Sequence, residues 1–145
     1  MEDKIWYSIE NRMPYGEVKG VVQVTNSNSF KFIKEIQESI EAFNREIEWD
    51  QMWDLKETQK RFSNNEVLFL LRDKKGALGH VWFDEDYLYN MFVSDRREAG
   101  MPVKFILHCF NYTPYKEIRL YCDKWNYRAQ KFFEKVGAKE ISSYL

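Results

Sequence analysis

The sequence is poor in the residues that cross-link, stiffen or interrupt a chain. Its 145 residues include two cysteines, three prolines and six glycines. Two cysteines are too few for the disulfide framework of a small secreted domain. Cys109 and Cys122 lie in apolar segments and have no metal-ligand spacing. We therefore expect two reduced thiols in the protein core and no metal site.

Long apolar runs and an excess of charge are also missing. No apolar run approaches the roughly 18 residues of a membrane span, and the N-terminal segment MEDKIWYSIENR is acidic and polar, unlike a secretion signal. The formal net charge of −1 gives no overall attraction to nucleic acid or to a membrane surface. Residues 124–135 interleave basic and aromatic side chains, but their helical spacing predicts a core face and a solvated face instead. We expect a cytoplasmic protein with neither a nucleic-acid partner nor a membrane partner.

Aromatic residues, by contrast, are abundant. The chain has 11 Phe, 9 Tyr and 5 Trp, which together make 17% of its residues. This content favours a packed globule over a disordered chain. The length fits one domain with a core of its own, and no internal repeat divides it. We therefore expect a single domain over residues 1–145.

The spacing of apolar residues predicts the secondary structure. Alternation of Ile5, Tyr7 and Ile9 indicates a strand, and spacings of three and four around Ile36 and Ile40 indicate a helix. Three later apolar runs joined by short turns indicate an antiparallel meander. The predicted elements are strands at 4–10 and 17–25, helices at 33–47 and 52–62, strands at 66–73, 77–84 and 87–94, a helix at 102–112, a strand at 117–123, a helix at 126–137 and a strand at 138–145. This order predicts an α+β fold with a mixed sheet.

The ends of these helices carry expected signals. The segment NSNS at 26–29 supplies side chains that cap helices, and Asn126 is expected to cap the last helix. Gly137 is expected to end that helix, since glycine tolerates the left-handed backbone of a helix terminus.

The octet DRREAGMP, residues 95–102, joins a predicted strand to a predicted helix that begins near Met101. A helix N-terminus exposes unpaired N–H groups and carries partial positive charge, which favours anions. Gly100 would let the backbone approach a ligand closely, and Arg96 and Arg97 add positive charge. Two interpretations stay open: a polar connection with a helix cap, or an anion-binding site.

Two segments carry a recognisable spacing. Residues 97–102 read Arg-x-x-Gly-x-Pro, and residues 120–140 contain a strand followed by Asn-x-x-Ala-x-x-Phe-Phe-x-Lys-x-Gly-Ala from Asn126 to Ala138. These segments resemble the GCN5-related N-acetyltransferases (GNAT family), whose phosphate-binding signature is [Gln/Arg]-x-x-Gly-x-[Gly/Ala]. The second segment is the more specific. Residues 67–83 are also similar to the second and third strands of the family, and the likeness spans roughly residues 17 to 145.

This resemblance implies an acyl-CoA-dependent N-acyltransferase, with acetyl-CoA as the expected co-substrate and an amine of unknown identity as the acceptor. The implied architecture is a mixed, mainly antiparallel central sheet flanked by four helices. Only one predicted strand follows the last helix, where the family usually has two. We therefore expect the extra N-terminal strand at 4–10 to compensate for the missing sheet edge. A homodimer is left open.

The resemblance also implies how the cofactor is bound. The strand at 87–94 would splay from the strand at 117–123, leaving backbone groups of Phe92 and Val93 free for the pantetheine arm. Backbone N–H groups of the octet would hold the pyrophosphate, and side chains of the last helix would line the groove. The implied cofactor-binding residues are Phe92, Val93, Arg96, Arg97, Glu98, Ala99, Gly100, Met101, Asn126, Phe132 and Phe133.

The sequence does not identify the catalytic residues. Three candidates are His80, Asn90 and Asp123; Asn90 stands where relatives often carry an acid, and an amide cannot act as a base. Phe133 stands where many relatives carry a proton-donating tyrosine, and Pro102 lacks the N–H that a phosphate-binding loop would use. A second function therefore stays open, namely a binding or structural protein that keeps the fold without the activity.

Overall fold

The computed structural model describes residues 3–12, 15–46 and 54–141. This part of the chain contains seven strands and four α-helices in the predicted order. The elements are β1 (Lys4–Glu10), β2 (Val21–Val24), α1 (Ile33–Glu46), α2 (Leu55–Ser63), β3 (Val67–Asp73), β4 (Gly76–Asp84), β5 (Tyr87–Val93), α3 (Met101–Phe110), β6 (Glu117–Asp123), α4 (Tyr127–Lys135) and β7 (Lys139–Ile141).

All seven strands form one sheet in the order β2-β3-β4-β5-β6-β1-β7. Neighbouring strands are antiparallel except β5 and β6, which are parallel and joined by α3. The predicted α+β class, with a mixed and mainly antiparallel sheet flanked by four helices, is confirmed.

The predicted N-terminal strand is confirmed with the same bounds, and it lies inside the sheet rather than at its edge. β1 is antiparallel to β6, where Ile9 pairs with Ile118, and antiparallel to β7, where Trp6 pairs with Ile141. Its alternation explains this position, since Tyr7 and Ile9 are buried on one face. β1 therefore bridges the two strands that flank α4.

Some predicted bounds differ from those observed. β2 begins only at Val21, because Gly20 has a φ of 87° and a Cβ there would lie 2.1 Å from the Arg72 carbonyl oxygen. Asn28 is at the N-cap of a 3-10 helix over Ser29–Phe32 that leads into α1, but its side chain makes no capping hydrogen bond and accepts from the Thr25 N–H instead. The predicted helix at 52–62 begins at Leu55. The parts of predicted elements at 47, 52–53 and 142–145 lie outside the described residues.

Helices cover both faces of the sheet. On one face, Phe105 of α3 and Phe133 of α4 join the largest buried cluster. On the other face, Ile36 and Ile40 of α1 and Phe62 of α2 form a second cluster around Trp82.

Both cysteines are free and buried, as predicted: Cys109 lies in α3 and Cys122 in β6. Among the described residues, no helix is long and apolar enough to cross a membrane.

Candidate functional site

The parallel strands β5 and β6 meet at one end and diverge at the other. Among the described residues, their ladder holds one pair, Tyr87 with Arg119, supported by a hydrogen bond of 2.9 Å from the Arg119 N–H to the Asp86 carbonyl. Beyond this pair both strands continue, to Val93 and Asp123 respectively, without further ladder pairing. The sheet therefore opens beside the C-terminal half of β5.

β5 is also shaped by its antiparallel partner β4. The register shifts between Trp82, which pairs with Asn90, and Phe83, which pairs with Leu88, so Tyr89 forms a bulge. A bulge bends a strand and re-aims the side chains beside it. At the other end of β5, a Cβ on Gly79 would lie 2.4 Å from the Phe92 carbonyl oxygen. Only glycine permits this close approach.

The loop after β5 presents unpaired backbone donors at the start of α3. Gly100 has a φ of 80°, a left-handed conformation that turns the chain into the helix. The Met101 and Lys104 N–H groups are paired within the turn, and Pro102 has none. The N–H groups that have no hydrogen-bond partner within the described residues are those of Glu98, Ala99, Gly100 and Val103. Such groups and the helix dipole suit an anion.

The two arginines of the loop fix its shape. Arg96 makes a bidentate pair with Asp73 at 2.7 and 3.2 Å and donates to the Ala77 carbonyl at 2.8 Å, and these contacts hold the pKa of Asp73 below its usual value. Arg97 folds back, so that its Nη1 donates to the carbonyls of Val93 and Ser94 at 3.2 and 3.0 Å. Their charges therefore tie the loop to the sheet.

A third anchor, which the sequence did not reveal, comes from α1. The Glu46 carboxylate accepts hydrogen bonds of 2.9 Å from the Ser94 hydroxyl and from the Asp95 N–H. The loop therefore contacts β3, β4 and α1 before α3 begins.

Two of the three predicted catalytic candidates are hydrogen-bonded to each other. His80 Nε2 lies 2.8 Å from Asn90 Oδ1, and His80 Nδ1 lies 2.6 Å from the Ser39 hydroxyl of α1. His80 is 2% exposed, and burial lowers its pKa to about 4, against a smaller raising effect of the hydrogen bond to Asn90. Its ring also lies 5.7 Å from that of Phe92, a predicted cofactor residue. His80 is thus a neutral, buried side chain at neutral pH.

The third candidate, Asp123, lies at the end of β6. Its carboxylate is 3.8 Å from Lys4 Nζ, and its carbonyl accepts from the Asn126 N–H at 2.9 Å. Asn126 caps α4 as predicted, because its Oδ1 accepts from the Ala129 N–H at 3.0 Å. Asp123 therefore helps to build the turn that places α4.

The remaining predicted groove residues lie on α4. Phe133 is buried and Phe132 is half-buried, with their ring centroids 5.2 Å apart. Sequence reasoning missed Ser39, although its place between Ile36 and Ile40 on the buried face of α1 was a usable signal, since a polar residue there needs a partner.

One cavity lies beside the loop after β5, and another lies apart from the predicted site. One of about 420 Å³ includes Ser94, Asp95 and Arg96 in its lining. A larger cavity of about 1080 Å³ lies at the N-terminal end of β6, beside Lys116 and Lys135, and its lining includes none of the predicted cofactor residues.

No protein-family model and no curated protein sequence matches the chain. Solved structures do match it. A functionally unknown conserved protein from Staphylococcus epidermidis has a TM-score of 0.68 at 12% identity, over 95% of this chain and 57% of that chain. An aminoglycoside acetyltransferase from an uncultured soil metagenomic sample, solved with trehalose, has a TM-score of 0.61 at 19% identity, over 86% and 92%. A protein from Novosphingobium aromaticivorans, described as a GNAT-family acetyltransferase, has a TM-score of 0.62 at 10% identity, over 95% and 59%.

The chain thus spans little more than half of two of these structures and most of the third. At such identities the likeness establishes the fold. The chain has the fold of the GNAT acetyltransferases, and the resemblance inferred from its motifs is confirmed at that level.

Proposed function

We propose that the chain is an acyl-CoA-dependent N-acyltransferase, with acetyl-CoA as the acyl donor and an amine as the acceptor. The observation that carries this proposal is the opening between β5 and β6, placed next to the unpaired N–H groups at the start of α3. Acetyl-CoA carries a thioester-bearing arm and a diphosphate in one molecule. A site for it therefore needs a gap for the arm next to N–H donors for the diphosphate.

Each part of the site has a role in this proposal. The N–H groups of Glu98, Ala99, Gly100 and Val103 hold the pyrophosphate. Backbone groups of Phe92 and Val93 face the pantetheine arm, although the Val93 carbonyl also accepts from Arg97. Asn126 contributes its side-chain Nδ2, since its Oδ1 caps α4. Arg96 and Arg97 position the loop, and the rings of Phe132 and Phe133 line the groove.

The bound thioester supplies an activated acyl carbon. Transfer forms the amide C–N bond and breaks the thioester C–S bond. The amine loses one proton, and the departing coenzyme A thiolate gains one and leaves as the free thiol. We place the amine on the sheet face that α1 covers, where Trp6, Tyr87 and Tyr121 form an aromatic cluster with centroid distances of 5.0 to 6.2 Å. A neighbour with the same fold is an aminoglycoside acetyltransferase, which is compatible with a small amine as the acceptor here. We further propose a cytoplasmic setting without a nucleic-acid partner.

The direct test is ligand-induced stabilisation. Acetyl-CoA at one hundred times its dissociation constant should stabilise the protein by about 2.7 kcal/mol, seen as a rise in melting temperature. Gly100→Val should weaken this response, because valine is strained at a φ of 80°. Gly137→Val is the matched control, since it introduces similar strain at a φ of 97° beyond the end of α4. A protein that acetyl-CoA does not stabilise would contradict the proposal.

The second function, a binding protein without transferase activity, is favoured by Phe133 and Pro102. Phenylalanine cannot protonate a departing thiolate, and proline removes one donor from the loop. Thiol release from acetyl-CoA in the presence of a panel of amines separates the two functions. Stabilisation by acetyl-CoA without thiol release for any amine would favour the binding protein.

A further inference from the structure

The hydrogen-bond chain from Ser39 through His80 to Asn90 has a defined direction. A neutral imidazole has one N–H donor and one bare nitrogen acceptor. His80 Nε2 faces the Asn90 carbonyl oxygen, so Nε2 carries the hydrogen and donates. His80 Nδ1 is then the acceptor, and the Ser39 hydroxyl donates to it at 2.6 Å. Ser39 and His80 are each 2% exposed, so water does not compete for the bond between them, whereas Asn90 is half-buried.

The direction of these hydrogen bonds fixes the orientation of the Asn90 side-chain amide. Because Oδ1 is held by His80, the planar amide turns its Nδ2 hydrogens the other way. Within the described part of the chain Nδ2 has no hydrogen-bond partner, and it is not among the buried side-chain atoms that lack one. Nδ2 is therefore an oriented donor that a ligand can reach.

Asn90 lies where the acceptor of the proposed reaction would pass. It pairs with Trp82 across the sheet and follows the bulge at Tyr89, which brings it to the face that α1 covers. Three residues later β5 ends at Val93, beside the opening from β6.

We propose that Asn90 determines acceptor specificity, and that His80 and Ser39 position it. Its Nδ2 donates a hydrogen bond to an uncharged oxygen of the acceptor. The substrate class is an amine with an ether, hydroxyl or carbonyl oxygen on the carbon next to the one that bears the nitrogen. This class includes amino alcohols, amino sugars and α-amino amides. An ammonium group has no lone pair for this donor, so the amide selects the oxygen and not the charge. This inference rests on the proposed function.

The test compares two amines of equal length, 2-methoxyethylamine and butylamine, which differ by an oxygen in place of one methylene. Thiol release from acetyl-CoA gives kcat/KM, expressed per unprotonated amine. The expected preference for the ether is about tenfold, the value of one hydrogen bond to a neutral group. Asn90→Asp keeps an oxygen for His80 and the same shape but replaces the outward donor with a carboxylate oxygen, so the preference should vanish.

The positioning role is tested with a matched pair at His80. His80→Leu removes the bond to Asn90 and should reduce the preference, whereas His80→Gln can place an amide N–H near the former Nε2 and should retain it. Stabilisation by acetyl-CoA should be the same in all four proteins, which shows that the variants fold and bind the donor.

Several outcomes would overturn the inference: equal kcat/KM for the two amines, a preference that survives Asn90→Asp, or one that survives His80→Leu. If neither amine reacts while acetyl-CoA still binds, the pair is compared by the NMR shift of the Asn90 side-chain amide. A shift selective for the ether supports the inference, and its absence overturns it. Loss of acetyl-CoA binding in the unmodified protein would instead be a failure of the proposed function.

Discussion

At the scale of single residues, buried histidines connect the sheet to its surroundings. His80 joins α1 to β5 through its two ring nitrogens. His108 of α3 accepts from the Val18 N–H through Nδ1 at 2.8 Å, and burial lowers its pKa. Each ring is therefore neutral when it makes these contacts, and each resists protonation.

The pH dependence of stability follows from His80. Its pKa is about 4 in the folded protein and about 6.5 when exposed. The unfolded chain binds the proton more readily between these values, so stability is full above about pH 6.5 and falls as the pH drops towards 4. The loss should be about 3 kcal/mol. Urea denaturation at pH 7 and pH 4 measures it.

His80→Gln is the control for this prediction, because it removes the titrating ring and keeps a hydrogen-bonding side chain. The free energy of unfolding should then fall less between pH 7 and pH 4. The remaining pH dependence, including that of His108, is common to both proteins and cancels in the difference. Identical pH profiles for the two proteins would be incompatible with a neutral, buried His80.

Pro102 offers a second residue-scale prediction. Pro102→Ala restores a backbone N–H in the first turn of α3, next to the four unpaired groups of the proposed pyrophosphate site. One hydrogen bond to a charged group contributes about 1.5 kcal/mol, so the dissociation constant of acetyl-CoA should fall about tenfold. Isothermal titration calorimetry measures the change. Pro114→Ala, in the connection from α3 to β6, should leave the constant unchanged; equal effects of the two substitutions would argue against this loop as the phosphate site.

The sequence singled out His80, Asn90 and the loop residues, but it did not reveal what they contact. Ser39 lies about forty positions before His80 in the chain, and only the packing of α1 on β4 joins them. The sequence indicated only that Arg96 adds positive charge. In the structure its guanidinium donates to the Asp73 carboxylate, because the end of β3 lies beside the loop. Such pairings depend on tertiary placement, which local spacing does not encode.

At the scale of elements, strands with clear alternation were predicted well. β1 and β6 have the predicted bounds, since each buries alternate residues against helices. The bulge at Tyr89 was not predicted, because a one-residue shift of register depends on the partner strand and not on β5 alone. The opening between β5 and β6 was predicted only from the family resemblance, and not from the spacing of residues.

Gly79 tests the close pairing of β4 with the end of β5. In Gly79→Ala the new Cβ would meet the Phe92 carbonyl oxygen at 2.4 Å and Val93 Cα at 3.0 Å, so the strands must separate. We expect a loss of about 2 kcal/mol, the usual cost of overpacking, measured by urea denaturation. Gly16→Ala is the matched control, because a Cβ there has nothing within 4 Å. Equal losses in the two variants would mean that the contact at Gly79 does not limit stability.

At the scale of the whole molecule, β1 holds the sheet together. It supplies hydrogen bonds to both β6 and β7, and it buries Tyr7 and Ile9 in the main core. Without it, β6 and β7 would each present an open edge, and open edges promote aggregation. The connection of β7 to the rest of the sheet therefore depends on residues 4–10.

Deletion of residues 1–12 tests this dependence. The shortened protein should lose cooperative thermal unfolding and aggregate, whereas a synthetic peptide of residues 1–12 added during refolding should restore a folded complex. A peptide of the same composition in scrambled order is the control, since it lacks the alternation that buries Tyr7 and Ile9. A shortened protein that unfolds cooperatively on its own would show that β1 is dispensable.

The position of β1 also has a consequence for biosynthesis. A ribosome makes Ile9 before its partner Ile118, which emerges only after the residues between them have been translated. Through that interval the apolar face of residues 4–10 has no strand to join, so the nascent polypeptide must carry it uncovered. β1 can join the sheet only after β6 has been made, so folding in the cell should be sensitive to whatever shields residues 4–10 meanwhile.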